Sequence, residues 1–155
     1  MANLIDEFID LTETLNRNGI DYAVCGGWAM AMHGLPRATL DIDVLVLSED
    51  LSEIWAVAQT MGYDVEGLPF HFAAGAIEIR RISKVDDDTN RVFTLDFLLV
   101  TETLQHVWEN RQLIEWEDGK TWVVSKDGLI EMKTISGREQ DLLDIKNLQE
   151  VDNED

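Results

Sequence analysis

The stretch Gly26-Gly27-Trp28-Ala29-Met30-Ala31-Met32-His33-Gly34-Leu35-Pro36-Arg37-Ala38-Thr39-Leu40-Asp41-Ile42-Asp43 decides how the chain is read. Residues 20–25, just before it, have the apolar pattern of a short strand. Residues 28–33 then read as a short helix that Gly34-Leu35-Pro36 ends. Residues 40–47 form a strand that is apolar but for Asp41 and Asp43. Positions i and i+2 of a strand share a face, so the two carboxylates stand ~6–7 Å apart on one side while Ile42 points to the other. In apolar surroundings each binds its proton more tightly unless a positive charge lies between them. A divalent ion that prefers hard oxygen ligands, such as Mg²⁺, supplies that charge and binds phosphates as well. A solvated strand end is the alternative. The glycine pair lets backbone approach a ligand closely, and the helix N-terminus behind it offers N–H groups to a phosphate. It serves a tight strand-to-helix turn equally well. The pattern is neither the Walker A loop G-x-x-x-x-G-K-[ST] nor the dinucleotide-binding G-x-G-x-x-G.

Working outward, Leu4, Ile5, Phe8, Ile9, Thr12 and Leu15 fall on one helical stripe, and residues 16–19 stop it. Ser48 is placed to cap a helix with Glu49 and Asp50 in its first turn, running to Met61 and closed by Gly62. Residues 76–85 and 91–100 flank the polar turn Asp86-Asp87-Asp88-Thr89-Asn90 and read as a β-hairpin. A helix over 101–110 follows. A second hairpin, 113–116 with 121–124, surrounds Glu117-Asp118-Gly119-Lys120. Ser125 caps a helix that breaks at Ser136-Gly137, and a last helix covers 139–150. There is no repeat, linker or low-complexity tract, and the class expected is one mixed α+β domain.

Asp96 lies inside the apolar run 93–100 and needs a partner there. If that strand neighbours the Asp41/Asp43 strand, three carboxylates converge. Such a set holds two Mg²⁺ ions, or one ion and an activated nucleophile, for in-line phosphoryl chemistry. Alternatively Asp96 pairs with Arg80, Arg81 or Arg91. Lys133 shares an apolar helix face with Leu129 and Ile130, as a snorkelling side chain or as a ligand for a triphosphate. Arg138 and Asp141, three apart, either line the same pocket or form a local helix pair.

Composition bounds the rest. The 155 residues are 45% hydrophobic and 28% charged, which suits a globular domain rather than a disordered one. One cysteine rules out an internal disulfide and a cysteine-rich zinc site, and Cys25 reads as a small buried hydrophobe. The three histidines share no ligand spacing, and Asp86-Asp87-Asp88 reads as a solvated turn. Residues 1–10 lack a basic signal-like segment and the apolar runs are short, so a cytoplasmic chain without membrane association is expected. Twelve Lys and Arg stand against 31 Asp and Glu, a net charge of −19. That surface repels polyanions over a Debye length of ~8 Å and disfavours non-specific nucleic-acid binding. It favours small cationic ligands or a basic protein partner, or it serves solubility alone.

The string 26–43 resembles the first motif of the DNA polymerase β-like nucleotidyltransferase superfamily: a glycine pair, a short helix, an Arg-x-Thr/Ser stretch and D-x-D. Residues 129–145, with Lys133, Arg138, Asp141 and Asp144, are similar to the K…R-x-x-D-x-x-D helix pair of its AbiEii-like branch, which includes toxins of toxin–antitoxin systems. The resemblance implies a single nucleotidyltransferase-like domain over 1–150 with an acidic tail, 151–155. The implied fold is a small mixed sheet flanked by helices with a C-terminal helix pair. Asp41, Asp43 and Asp96 would be catalytic and would bind two Mg²⁺ ions. Gly26, Gly27, Trp28, Arg37, Thr39, Lys133, Arg138 and Asp141 would bind or support the nucleotide. The implied reaction moves a nucleoside monophosphate from an NTP, ATP among them, to a hydroxyl on RNA, protein or a small molecule, releasing pyrophosphate. A toxin–antitoxin role with a cognate protein partner is one setting. An aminoglycoside-type antibiotic nucleotidyltransferase is another, and a non-catalytic nucleotide- or partner-binding module is a third. Trp28 stands where many members have Ser or Thr, as in several aminoglycoside enzymes.

Overall fold

The computed structural model describes residues 3–36, 39–117 and 119–152. Two runs of apolar residues set the centre of the sheet. Strand β2 (Asp41–Val46) and strand β6 (Val92–Leu99) lie side by side and parallel, with Ile42 opposite Leu95, Asp43 opposite Asp96 and Val44 opposite Phe97. Such runs, buried on both faces, are what a parallel sheet interior requires. Strand β1 (Ala23–Cys25) runs antiparallel to β2, with Cys25 opposite Asp43. Strand β5 (Ile77–Val85) forms the expected hairpin with β6. Its turn is closed by the Asp86 amide donating to the Arg91 carbonyl (2.8 Å) and the Thr89 hydroxyl donating to the Asp86 carboxylate (2.7 Å). The second hairpin, β7 (Gln112–Trp116) with β8 (Gly119–Val123), joins the sheet through a parallel β1–β8 pairing. Two short strands, β3 (Val65–Glu66) and β4 (Phe70–Phe72), pair antiparallel with β5. Among the described residues the sheet has eight strands in the order β3-β5-β6-β2-β1-β8-β7, with β4 beside β5.

The register sorts the side chains onto two faces. Ile42, Val44, Val46, Leu95 and Phe97 share one face; Phe97 meets Trp55 of helix α3 (Leu51–Thr60), and the core continues into Ile54 of α3 and Leu11 and Leu15 of helix α1 (Leu4–Arg17). Asp41, Asp43, Asp96 and Arg81 share the other face. That side carries helix α5 (Lys126–Ser136) and helix α6 (Glu139–Asp152), the expected C-terminal pair. Ser125 caps α5 by accepting the Gly128 amide (3.0 Å), and Gly137, at φ +63°, ends it. Helix α2 (Gly26–Met32) follows β1, and helix α4 (Gln105–Glu109) precedes β7. The class is therefore the mixed sheet flanked by helices that the sequence implied.

Four details depart from expectation. The inward face of α1 is Glu7, Phe8, Leu11, Thr12 and Leu15, while Ile5 is exposed. The stripe is rotated because Glu7 is drawn inward: its carboxylate accepts the Tyr63 hydroxyl (2.7 Å) and pairs with the Lys84 ammonium (2.6 Å). Helix α2 begins at Gly26, two residues early, so the glycines are its first turn. Ser48 opens a 3-10 turn, Ser48–Asp50, and caps nothing with its side chain. Strands β3 and β4 have two and three residues, too few to show a period.

Candidate active site

The β2–β6 register carries three carboxylates to one place. Asp43 and Asp96 are direct neighbours across the parallel pair, and Asp41 is two residues from Asp43 on the same face. Asp96 is buried, and Arg81, its neighbour across the β5–β6 pair, grips it with a fork. Arg81 Nε donates to Oδ1 at 2.7 Å and Nη2 to Oδ2 at 2.9 Å. The guanidinium also lies over the Phe70 ring, 5.4 Å from its centroid. The two readings of Asp96 in the sequence thus hold together: it joins the acidic cluster, and it is paired with arginine. Burial, then the charges of Asp96 and Asp41, push the Asp43 carboxyl up to about 7, against the opposing pull of Arg81 and Lys133. Asp41 is raised too, by burial and then by Asp96.

The glycines explain how Asp43 fits. Gly26 has φ +64°, and a Cβ there would lie 2.0 Å from Asp43 Oδ2. A Cβ on Gly27 would lie 2.8 Å from Thr39 Cβ. The pair is thus required by the chain's own acid and threonine, whatever ligand it faces. Thr39 spends its hydroxyl on the Asp41 carbonyl (3.1 Å), steadying the entry to β2.

Helices α5 and α6 bring the cations. Lys133 Nζ is 2.9 Å from Asp144 Oδ2 and 3.7 Å from Asp141 Oδ1. Arg138 Nε is 2.8 Å from Asp141 Oδ2, and its own amide donates to the same oxygen at 3.2 Å. Burial works against the Asp141 anion, but the hydrogen bonds and charge of Arg138 outweigh it and hold the carboxyl below its usual range. Gln140 donates to Asp144 Oδ1 at 3.0 Å.

Two cavities meet at this cluster. The smaller, about 240 Å³, is lined by Gly26, Gly27, Thr39, Lys133, Arg138 and Gln140, with Asp41, Asp43, Asp141 and Asp144. The larger, about 280 Å³, shares Gly26, Asp41, Asp43, Lys133, Arg138 and Asp141 and adds Asp96, Arg81 and an apolar wall. Of the expected nucleotide-binding residues, Gly26, Gly27, Thr39, Lys133, Arg138 and Asp141 are thus brought together. Arg37 lies outside the described residues. Trp28 is not brought in: its indole stacks on Phe8 of α1, centroids 4.2 Å apart and planes 3° from parallel, and it lines neither cavity. It is an apolar strut between α1 and α2, where an indole does more than a serine. Cys25 borders the larger cavity, but burial pushes its thiol well up, followed by the charge of Asp43, so it is poorly disposed to react.

The metal implied by the resemblance can be tested against these donors. Asp41 and Asp43 suit a hard dication, which would relieve the crowding that raises both carboxyls. Asp96 does not yet join them, because both of its oxygens are held by Arg81. Among the described residues, accordingly, no group of three His, Cys, Asp or Glu side chains is arranged to hold an ion.

The sequence named Asp144 only through the R-x-x-D-x-x-D pattern and gave it no role of its own; the packing of α6 on α5, which sets it 2.9 Å from Lys133 Nζ, supplies one. Arg81 stood as one of three candidate arginines for Asp96, and strand register was needed to choose it. Phe70 and Phe72 belong to a strand too short to be recognised.

No family model matches the chain, and no curated protein matches it. Solved structures do. A candidate nucleotidyltransferase of Thermotoga maritima superposes with a TM-score of 0.63 at 15% identity, over 97% of this chain and 93% of that one. The antibiotic-resistance factor ANT(2″)-Ia does so in two structures. Its complex with adenylyl-2″-tobramycin gives a TM-score of 0.61 at 11% identity, over 96% of this chain and 92% of that one. Its solution structure gives 0.59 at 12% identity, over 91% and 80%. At these identities the likeness establishes a shared fold, that of nucleotidyltransferases. No helix among the described residues is long and apolar enough to cross a membrane.

Proposed function

We propose that this protein is a Mg²⁺-dependent nucleotidyltransferase that moves a nucleoside monophosphate from an NTP to a hydroxyl and releases pyrophosphate. The observation that carries the reading is the convergence of Asp41, Asp43 and Asp96 on one sheet face, where two cavities meet beside Lys133 and Arg138. Lys133 and Arg138, with the first turn of α2, form the cationic side of the smaller cavity and would hold the triphosphate there. Asp41 and Asp43 would hold the metal, which when bound neutralises charge on the phosphates. Asp96, on the larger cavity, is the carboxylate left to take the proton of the acceptor hydroxyl. Arg81 must release at least one of its oxygens for that. The acceptor oxygen bonds to the α-phosphorus, the bond from that phosphorus to the bridging oxygen breaks, and pyrophosphate leaves. Fixed dipoles and positioning supply most of the rate in such transfers.

The R-x-x-D-x-x-D helix pair supports the AbiEii-like branch and, with it, a single-domain cytoplasmic component of a toxin–antitoxin system with a cognate protein partner. The likeness to ANT(2″)-Ia, whose structure contains adenylyl-2″-tobramycin, supports a second reading as an antibiotic-modifying enzyme. Incubation with Mg²⁺ and each α-labelled NTP, alone and with candidate acceptors, tests the proposal. Pyrophosphate release that is lost in Asp41→Ala and Asp96→Ala is the expected result. Tight NTP binding without turnover would mean a binding module, and no NTP binding would leave a partner module.

A further inference from the structure

The two cavities differ in chemistry. Every side chain lining the smaller one is polar or charged, and its remaining surface is glycine backbone. The part of the larger cavity not shared with it is walled by Phe70 and Phe72 of β4, Ile79 of β5, Leu98 of β6 and Met132 of α5. The register puts this wall on the face of the acids: Phe70 is opposite Ile79, and Ile79 is opposite Leu98, two residues along from Asp96. Asp96, which would touch the acceptor hydroxyl, lines the larger cavity and not the smaller.

The geometry points to the larger cavity as the acceptor seat and to an acceptor that is an uncharged, hydroxyl-bearing molecule with a compact apolar or aromatic body. This rests on the nucleotidyltransferase reading above and deepens it. A polycationic amino sugar needs carboxylates to replace its lost hydration. Among the described residues the cavity has only Asp41, Asp43, Asp96 and Asp141: the first two would hold the metal, Asp141 is held by Arg138, and Asp96, once released by Arg81, faces the acceptor hydroxyl, while Arg81, Lys133 and Arg138 line the same space and repel a polycation. An aromatic body finds instead two phenylalanines and aliphatic contacts, the lining usual for small-molecule pockets. At about 280 Å³ the space suits one or two rings rather than an oligosaccharide. In the transfer itself the acceptor oxygen gains the α-phosphorus, its proton goes to Asp96, and pyrophosphate carries away the electrons of the broken phosphorus–oxygen bond.

The test is calorimetry on the full chain with Mg²⁺ and three probes: the non-hydrolysable α,β-methylene-ATP, 2-(2-naphthyl)ethanol as neutral aryl alcohol, and kanamycin as polycation. Phe70→Ala, at a residue 37% exposed, and Phe72→Leu are the variants. We expect each to weaken naphthylethanol at least fivefold while α,β-methylene-ATP stays within twofold, with Phe70→Tyr retaining alcohol binding and kanamycin not competing. Variants that weaken the nucleotide and spare the alcohol would overturn the proposal by making the cavity the nucleobase seat. Kanamycin binding that depends on Asp96, or no alcohol binding by the parent while the nucleotide binds, would overturn the acceptor class alone. A parent that does not bind α,β-methylene-ATP would remove the underlying reading with it.

Discussion

At the residue scale, Asp43 is the most loaded side chain of the site. Its carboxyl is held up at about 7, against an unfolded value of 3.8. The folded protein therefore binds that proton more tightly than the unfolded chain does, and linkage fixes the sign. The proton's contribution to stability is present in full below about 4, declines as pH rises, and is gone above about 7. Asp43→Asn keeps the shape without the charge, so its melting temperature should exceed the parent's at pH 8 by roughly 5 °C. The difference should shrink toward pH 4, as thermal melts across that range would record. A variant that melts below the parent at pH 8 would mean that the anion is stabilising, contrary to the crowding described. Gly26 is the companion case. Gly26→Ala puts a methyl group against the Asp43 carboxylate at a left-handed φ, and a loss on the order of 2–3 kcal/mol is expected from chemical denaturation. Combining it with Asp43→Ala should recover the steric share of that loss, a non-additivity that a double-mutant cycle reads directly.

At the element scale, the site exists because two pairs of elements are locked together. One is β2 with β6, whose register is fixed by the contrast between the apolar face of Ile42, Val44, Leu95 and Phe97 and the face that carries the acids, since a slip by one would turn an acid toward the apolar side. These strands were legible because long apolar runs interrupted by acids leave few alternatives. The other pair is α5 with α6, joined through Lys133, Asp144, Asp141 and Arg138. Asp141 and Asp144 are almost wholly buried. Lys133→Met should therefore lower stability by about 3–5 kcal/mol, because it leaves buried carboxylates short of a cation rather than because the pair itself is strong. Asp144→Asn in the same background should return part of that loss, as paired urea titrations would show. The caps of α5 were readable from Ser125 and Gly137, whose preferences are local. The turn of α1 was not, because a distant Tyr63 and Lys84 decide that Glu7 faces inward. Strand β4, which supplies the aromatic wall, escaped for a similar reason: three residues gain strand character only from the β5 edge beside them.

At the scale of the whole molecule, the candidate site was legible as a set of residues and not as a state. The spacing of D-x-D, the later Asp96 and the Lys133 helix put into one list side chains that the fold gathers around two adjoining cavities; only the register showed Arg81 closed over Asp96, and only the packing of α1 turned Trp28 away. Arg81 sits where a dication drawn to all three acids would have to displace it. A chain with a net charge of −19 gains stability from any added salt through screening of self-repulsion, so a rise in melting temperature with Mg²⁺ means little by itself. The informative quantity is the excess over NaCl at equal ionic strength. A site that binds the ion only when folded adds RT ln(1 + [L]/Kd), about 2.7 kcal/mol at a hundredfold excess over Kd. We expect a clear excess at millimolar Mg²⁺, lost in Asp43→Asn, where one of the two carboxylates is gone. We expect a larger excess in Arg81→Gln than in the parent, because Asp96 is then free to join. That variant should melt lower than the parent without Mg²⁺, since the fork on a buried carboxylate is lost. An Mg²⁺ response equal in parent, Asp43→Asn and Arg81→Gln would reduce it to screening and would leave Arg81 as a structural partner of Asp96, with no ion to compete for it.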